Sequence, residues 1–434
     1  MEGNSDSPLA EMWPVSEFGQ VSYASRVLRN GSVIHHVSGV HAQNRFSVIV
    51  AARFGAVHLG LQNTTHETLQ LPPGMPHLVE HVLHEMILRS PPFQWLNEIV
   101  GSLNARVDRE RMLWWVRHQP TGPGPHYSQP ARIAKGLVEV CTSGVAGELD
   151  HEMLLDRAKR IVYLEKGYRQ GIDWRIARML DAQLFDGSPL GVDPIGETNR
   201  LAAVGSEELL ASLSAIASTV VSITVLGGEP QASILDSVED AVGPILNKGY
   251  TGWRPVGIPE LTPRDTAFAE IDGSPESASV SVAIALPPIN EITDELIRAR
   301  RAMLSLLLDR HIHLPISSDL GESAHVFALD SPVSVPWVTR ERADVWLRYI
   351  LENRLEDWAS NFAIRKRWAD SSLGSLSAMA KLAQLADTSK LTAPALLEAL
   401  AGLTKEDVIE LITDLREPLR VAQVYYGPAL PFSR

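Results

Sequence analysis

The chain has 434 residues, of which 45% are hydrophobic and 21% are charged, and its formal net charge is −13. The composition is ordinary for a globular protein with a large core, and the length predicts two domains or two lobes. The acidic balance argues against a nucleic-acid partner, because binding to a phosphate backbone requires a basic surface.

The single cysteine and the apolar runs limit the kinds of cross-link, metal site and membrane segment that the chain can contain. Cys141 is the single cysteine, so neither an intramolecular disulfide nor a cysteine-rich zinc site is possible. Residues 1–6 are polar and acidic and lack the features of a signal peptide. The longest apolar stretch, Phe46–Leu61, contains Arg53 and His58, so no segment of membrane-spanning length is predicted. We therefore expect a cytoplasmic protein that makes no membrane contact.

Strands and helices alternate along the first half of the chain. Residues 1–20 predict a polar tail, and the turn signal Leu28–Gly31 predicts a hairpin. A helix is predicted from Pro76 to about Leu88, because proline is tolerated in a first helical turn and Pro91–Pro92 forbids continuation. The other predicted elements are strands at Phe46–Ala52, Leu113–Val116 and Val220–Leu226 and a helix-rich stretch at Ala131–Ala182 that is broken around Cys141–Gly147.

The second half repeats this order of elements. Residues 248–263 are rich in glycine and proline and predict a linker between lobes at 21–247 and 264–434. The predicted elements beyond the linker are strands at Ser279–Leu286 and Val421–Tyr426, helices at Glu291–Arg310 and Arg340–Asp370, and a helix capped by Thr404. Each half has strands first and last with helices between. The predicted fold class is therefore α+β, with two similar α/β rolls of mixed, mainly antiparallel sheets packed by helices.

His77, Glu80 and His81 form an H-x-x-E-H motif in the helix predicted after Pro76. Residues at i, i+3 and i+4 share one helix face, so both imidazoles can bind one Zn²⁺ and leave positions open for water and another ligand. Glu80 would then act as general base on a water whose pKa zinc lowers toward ~7. This order of residues is the inverted zincin signature. The alternative is a surface helix with solvated His and Glu side chains.

The sequence around the motif is similar to that of a known family. Gly74–Leu83 resembles the core motif of the pitrilysin and insulinase family of zinc metallopeptidases, and Gly101–Ala105 resembles that family's Gly-x-x-Asn-Ala strand. Leu184–Gly191 and Ile195–Thr198 resemble the segment that follows its ligand helix. The resemblance covers residues 21–230 well and the second half faintly.

The resemblance implies roles for further residues. In the family the Asn-Ala segment lines the cleft and the substrate pairs as an added β-strand, so Asn104 and Ala105 are expected to bind substrate. A third zinc ligand is expected to be a Glu on a later helix. The candidates are Glu148, Glu152 and Glu165.

Asp156–Arg157 followed by a Glu eight residues after the arginine resembles the family's ligand helix. Glu165 is therefore the predicted third ligand of one Zn²⁺ per chain, and Glu152 is the alternative. The family's second acidic residue, seven positions before this ligand, is replaced here by Ala158. Because that residue normally supports the metal site, its loss affects how the metal is tuned.

Several other histidines lie near the motif or in pairs. His84 is on nearly the same helix face, but a second zinc on one turn would crowd the first, so His84 is interpreted as a packing or solvated residue. The pairs His35–His36 and His311–His313 are interpreted as strand or loop histidines.

The second half lacks residues that the family uses on its substrate. The family's C-terminal lobe usually contributes an Arg and a Tyr that hold the substrate and stabilise the oxyanion. The corresponding stretch, Leu314–Leu329, contains neither. Half-length members of the family pair into a clamshell, in some cases with the metal site and the Arg/Tyr pair on different subunits. We therefore expect a clamshell dimer in which this chain is the zinc-bearing subunit of a heterodimer with a paralogous partner, the alternative being a homodimer.

The sequence thus predicts a zinc-dependent endopeptidase for short or unfolded peptides, compatible with a leader- or processing-peptidase role. The alternative is an inactive peptide-binding or scaffold subunit, for which Ala158 and the missing Arg/Tyr pair argue. A zinc deaminase would require a cysteine-bearing ligand set, which a single cysteine cannot supply.

Overall fold

A computed structural model of the chain describes residues 11–12, 22–38, 46–90, 93, 103–118, 128–143, 150–169, 171–227, 232–248, 250, 252–257, 267–272, 279–286, 292–302, 325–332, 391, 393–404, 406–407 and 420–427. The described residues form two compact units. The first holds those up to Leu164 and those from Pro194 to Gly257, and the second holds those from Glu165 to Asp193 and those after Gly257. The boundary after Leu164 lies inside a continuous helix.

The strands are β1 (Glu11–Met12), β2 (Ser22–Val27), β3 (Val33–Ser38), β4 (Phe46–Ala52), β5 (Gly60–Gln62), β6 (Thr68–Gln70), β7 (Leu103–Val107), β8 (Met112–His118), β9 (Val220–Gly227), β10 (Arg254–Pro255), β11 (Ala267–Asp272), β12 (Ser279–Leu286), β13 (His325–Pro332) and β14 (Arg420–Gly427). The helices are α1 (Met75–Arg89), α2 (Ser128–Ser143), α3 (His151–Tyr168), α4 (Ile172–Leu184), α5 (Thr198–Ala202), α6 (Ser206–Ser218), α7 (Ala232–Leu246) and α8 (Ala393–Gly402). Among these helices none is long and apolar enough to cross a membrane.

A seven-stranded sheet forms the centre of the first unit, in the order β1-β2-β3-β9-β4-β8-β7. Every residue of β4 is buried, as expected for an apolar strand covered on both faces. Helix α2 packs against β4 and α7, and α1 contacts β7, α2 and α6. The motif helix therefore lies beside the edge strand β7.

The second unit contains a four-stranded sheet in the order β11-β14-β12-β13. Its first and last strands pair in parallel, and the other two pairs are antiparallel. The first unit repeats this pattern, because β3 and β9 are parallel while β9–β4 and β4–β8 are antiparallel. In both units the last strand of the sheet pairs in parallel with one neighbour and antiparallel with the other. The prediction of two similar rolls of mixed, mainly antiparallel sheets is confirmed.

The described elements match most of the predicted ones. The hairpin at Leu28–Gly31 joins β2 to β3, and the helix predicted from Pro76 begins one residue earlier, at Met75. The expected cap at Thr404 is a capping box, in which the Thr404 N–H donates to Asp407 Oδ2 at 2.7 Å. The helix expected at Arg340–Asp370 lies outside the described residues.

The compact units divide the chain differently from the predicted lobes, which were continuous in sequence. Residues 165–193 group with the second unit, because α4 packs on β11, β12 and β14. Part of the predicted linker is ordered in the first unit, since β10 pairs with β5 and the Trp253 N–H donates to Ser214 Oγ at 3.1 Å. Within the predicted tail, Glu11–Met12 adds an edge strand to β2.

His58 is a buried histidine of the first unit and gives the fold a pH dependence. Its Nδ1 accepts a hydrogen bond from the Gly55 N–H at 2.8 Å, and burial lowers the pKa of His58 from 6.5 to about 4. Below pH 6.5 the unfolded chain therefore binds a proton that the folded chain does not bind.

Stability should consequently fall as the pH drops from 6.5 towards 4, with a contribution of about 3 kcal/mol from His58. Urea unfolding at pH 7 and at pH 4.5 would measure this loss in the wild type and in His58→Asn, whose side-chain oxygen can still accept from Gly55. We expect a smaller loss in the variant. An equal loss in both proteins would contradict this role.

Candidate metal centre

Helix α1 begins at a close contact between two backbone segments. Gly74 precedes the helix with φ of 86°, a left-handed conformation that favours glycine. A Cβ at Gly74 would lie 2.6 Å from the Ile195 carbonyl oxygen and 2.6 Å from Gly196 Cα. Gly196 has φ of 78° and is equally crowded against Pro73. Both glycines belong to motifs that carry the family resemblance, and their contact fixes where α1 starts.

His77, Glu80 and His81 lie together on the first turns of α1. His77 and Glu80 are 8% and 7% exposed, and the side chain of His81 is 13% exposed. The Glu80 Oε2 atom lies 4.0 Å from Nε2 of each histidine, and the two imidazole ring centroids are 4.7 Å apart. The motif is therefore in a largely buried environment, unlike the solvated surface helix that was the alternative.

Glu165, on the last turns of α3, completes a cluster with the two histidines. One ligand atom from each of His77, His81 and Glu165 lies within 4.8 Å of the other two. Although the unit boundary falls just before Glu165, α3 is one continuous helix whose first fourteen residues belong to the first unit. The three residues that the sequence predicts as ligands are thus brought together.

The alternative ligand, Glu152, is placed elsewhere. It lies in the first turn of the same helix and is exposed, about 20 Å from Glu165 along the helix axis at ~1.5 Å per residue. Glu148, the other candidate, lies outside the described residues.

The donor set fits a zinc ion. Zinc binds imidazole nitrogen and carboxylate oxygen at about 2.0–2.2 Å, and a tetrahedral arrangement then separates two donors by about 3.4 Å. Donor atoms within 4.8 Å of one another need to move by only about an ångström, which side-chain torsions allow. Two imidazoles and a carboxylate are also the ligands that a catalytic zinc site uses, with the fourth position open.

Asn104 and Ala105 lie on β7, at the edge of the seven-stranded sheet as the structure describes it. Asn104 is exposed and Ala105 is half-buried, and they pair with Trp115 and Trp114 of β8. Because α1 contacts β7, this edge strand lies beside the histidine helix. A strand at a sheet edge can accept an added strand through its backbone groups.

The remaining histidines of the first unit have structural surroundings. His35 Nδ1 lies 2.8 Å from the Tyr23 hydroxyl, and His36 Nε2 lies 3.1 Å from the Gly227 carbonyl oxygen. His84 does not belong to the cluster, and burial lowers its pKa, an effect that the charge of Glu85 opposes. His311 and His313 lie outside the described residues.

Sequence reasoning did not find the ion pairs around the two ligand helices. Arg169 Nη2 lies 3.6 Å from Glu165 Oε2, one helical turn away, and the Arg169 guanidinium lies 5.2 Å from the Trp174 ring centroid. Glu85 forms an ion pair with Arg157 of α3. The i,i+4 spacing could have indicated the first pair, but the second joins residues far apart in sequence. Ala158 is buried and places no carboxylate near the cluster.

Comparisons with known proteins identify the fold. No protein-family model matches the sequence, and no curated protein matches it. Similar solved structures include one described as an M16-like peptidase from Alicyclobacillus acidocaldarius, with 15% identity, a TM-score of 0.67 and coverage of 94% of this chain and 99% of that one.

Two further structures are a protease from Helicobacter pylori and a peptidase M16 inactive domain from Pseudomonas fluorescens. Each is 13% identical, with TM-scores of 0.66 and 0.65. Alignment covers 94% of this chain in both cases and 99% and 98% of theirs. The chain therefore has the M16-like peptidase fold, which occurs in active and in inactive proteins.

The position of Glu165 leads to a prediction about metal affinity. Glu165→Gln should weaken Zn²⁺ binding by more than about 100-fold, because loss of a direct ligand exceeds the ~10–100-fold effect of residues that support ligands. Glu152→Gln, a matched change on the same helix, should leave the affinity unchanged. Competition with a chromophoric chelator measures both. Equal losses in the two variants, or a loss in Glu152→Gln alone, would contradict the assignment of Glu165.

Proposed function

We propose that this chain is a zinc-dependent endopeptidase that hydrolyses short or unfolded peptides. The observation that carries the proposal is the convergence of His77, His81 and Glu165, with the Glu80 carboxylate 4.0 Å from both imidazoles. The M16-like fold supports a peptidase but does not decide between an active and an inactive member.

In this mechanism His77, His81 and Glu165 hold Zn²⁺, one ion per chain. The bound ion would lower the pKa of water and polarise a carbonyl group. Glu80 accepts a proton from the attacking water at its carboxylate and returns it to the leaving amine.

The edge strand β7 would position the substrate. An extended peptide can add to this edge strand by backbone hydrogen bonds along Asn104 and Ala105. Such pairing requires an extended backbone, which folded substrates do not offer. The proposal therefore favours short or unfolded peptides, as in leader or processing peptidases.

Glu80→Gln is the direct test of the mechanism. The variant should bind one Zn²⁺ per chain, as the wild type does, and should lose about 10²–10⁴-fold in kcat because it cannot accept the proton. Metal analysis and cleavage of an unfolded peptide measure the two quantities. Full activity in a zinc-loaded Glu80→Gln protein would contradict the role of Glu80.

The second candidate function is an inactive peptide-binding or scaffold subunit. Ala158 and the absence of Arg and Tyr from Leu314–Leu329 favour it, and one similar structure is an inactive M16 domain. Zinc stoichiometry separates the two candidates: about one Zn²⁺ per purified chain supports the enzyme, and none supports the scaffold.

We further propose that this chain pairs with a paralogous subunit that supplies an Arg and a Tyr, as the zinc-bearing half of a heterodimer. The support is in the sequence, because the stretch Leu314–Leu329 that should carry this pair has neither residue. An oxyanion that forms during attack by water would then lack donors from this stretch of the chain.

Peptide cleavage by the chain alone should accordingly be slow and should rise by about 100-fold in kcat/KM when such a subunit is added, the typical contribution of an oxyanion donor. A mixture that contains Glu80→Gln instead of the wild type should stay inactive, which assigns hydrolysis to this chain. If the chain alone is as fast as the mixture, the heterodimer proposal is wrong.

A further inference from the structure

Glu85 is a nearly buried carboxylate that uses both oxygens in ion pairs. Its side chain is 12% exposed, Oε1 lies 3.2 Å from Arg157 Nη2, and Oε2 lies 3.4 Å from Arg89 Nη2. Arg89 is on the same helix as Glu85, whereas Arg157 is on α3. The Glu85–Arg157 pair therefore joins the helix that carries the histidines to the helix that carries Glu165.

The spacing of this ion pair matches the spacing of the candidate ligands. Glu85 follows His77 by eight residues on α1, and Arg157 precedes Glu165 by eight residues on α3. At ~1.5 Å per residue both intervals are about 12 Å. The ion pair and the ligand cluster are thus two contacts between α1 and α3. The distance between these contacts is the same along both helices, which run in opposite directions.

Apolar packing of α3 is concentrated in the part of the helix before Glu165. The buried residues of this helix are Leu154, Leu155, Ala158 and Val162. Beyond Val162 none of its residues is buried, and Tyr163, Leu164 and Tyr168 are 68%, 59% and 85% exposed. Contacts made earlier along the helix therefore contribute to the position of Glu165.

An ion pair determines register more sharply than apolar packing. The hydrophobic effect is non-directional, so apolar burial does not by itself specify which turn of one helix faces which turn of its neighbour. A charge-assisted hydrogen bond requires specific atoms at short distance. A slide of α3 by one turn, about 5.4 Å, would break the contact with Glu85 and would also move Glu165 away from the histidines.

We propose that the Glu85–Arg157 ion pair sets the register of α3 against α1 and thereby positions Glu165 to bind the metal. Glu85 and Arg157 are positioning residues that act through Glu165. The inference rests on the metal site of the proposed function, but it requires only metal binding, not peptide hydrolysis.

Arg157→Gln is the informative variant, because Arg89 remains beside Glu85 and no buried carboxylate loses both partners. Its Zn²⁺ affinity should fall by about 10–100-fold, the range typical of residues that support metal ligands. The same substitution made in Glu165→Gln should cause no further loss, since the residue through which Arg157 acts is already missing. Arg157→Lys, which keeps the charge, should recover part of the affinity.

Cobalt(II) bound in place of zinc provides a readout that a general loss of stability would not change. The absorption spectrum of cobalt-loaded Arg157→Gln should shift toward that of cobalt-loaded Glu165→Gln, because the carboxylate no longer reaches the metal. The control is Lys135→Gln, which breaks an ion pair with Glu139 on α2 and should change neither affinity nor spectrum.

The outcomes are distinguishable. Wild-type affinity and an unchanged spectrum in Arg157→Gln would overturn the positioning role. So would an equal fold-loss of affinity in the wild-type and Glu165→Gln backgrounds, because it would show that Arg157 acts independently of Glu165. Failure of the wild-type chain itself to bind Zn²⁺ would instead overturn the metal site, and with it the proposed function.

Discussion

The candidate site depends on the burial of one turn of α1. Eleven of the fifteen residues of this helix are buried, and His77 and Glu80 are among them. Polar side chains are stable in such surroundings only if other groups form hydrogen bonds or ion pairs with them. The helix therefore needs fixed neighbours: Gly196 at its start, β7 beside it and Glu165 from another helix. The same burial strengthens electrostatic interactions within the cluster, because little water screens them.

The sheets of the two units share a pattern of strand pairing. In both sheets the last strand pairs in parallel with one neighbour and antiparallel with the other, so the duplication that the order of elements suggested extends to the pairing pattern. Within the described residues, the one metal-compatible cluster contains both histidines of the H-x-x-E-H motif. A fold repeated in this way can gain chemical function from side chains that its two copies do not share.

Local features of the sequence predicted much of the fold and part of the site. Pro76 and Pro91–Pro92 bounded the motif helix to within about a residue, and the spacing of His77, Glu80 and His81 placed them on one face. The role of β10 in the first unit could not be predicted, because a Gly/Pro-rich stretch gives no sign of its partner β5. The contact between Glu85 and Arg157 could not be predicted either, because nothing in the sequence around one residue indicates the other as its partner. Such pairings depend on where distant segments meet in three dimensions.

The contact between Gly74 and Gly196 also constrains the order of folding. The two residues are 122 positions apart in sequence, and their backbones touch without intervening side chains. Closing a loop of this length costs entropy that local contacts do not cost. The packing at the start of α1 is complete only when the chain around residue 196 is in place. The surroundings of His77 and Glu80 thus depend on a segment that lies far beyond them in sequence.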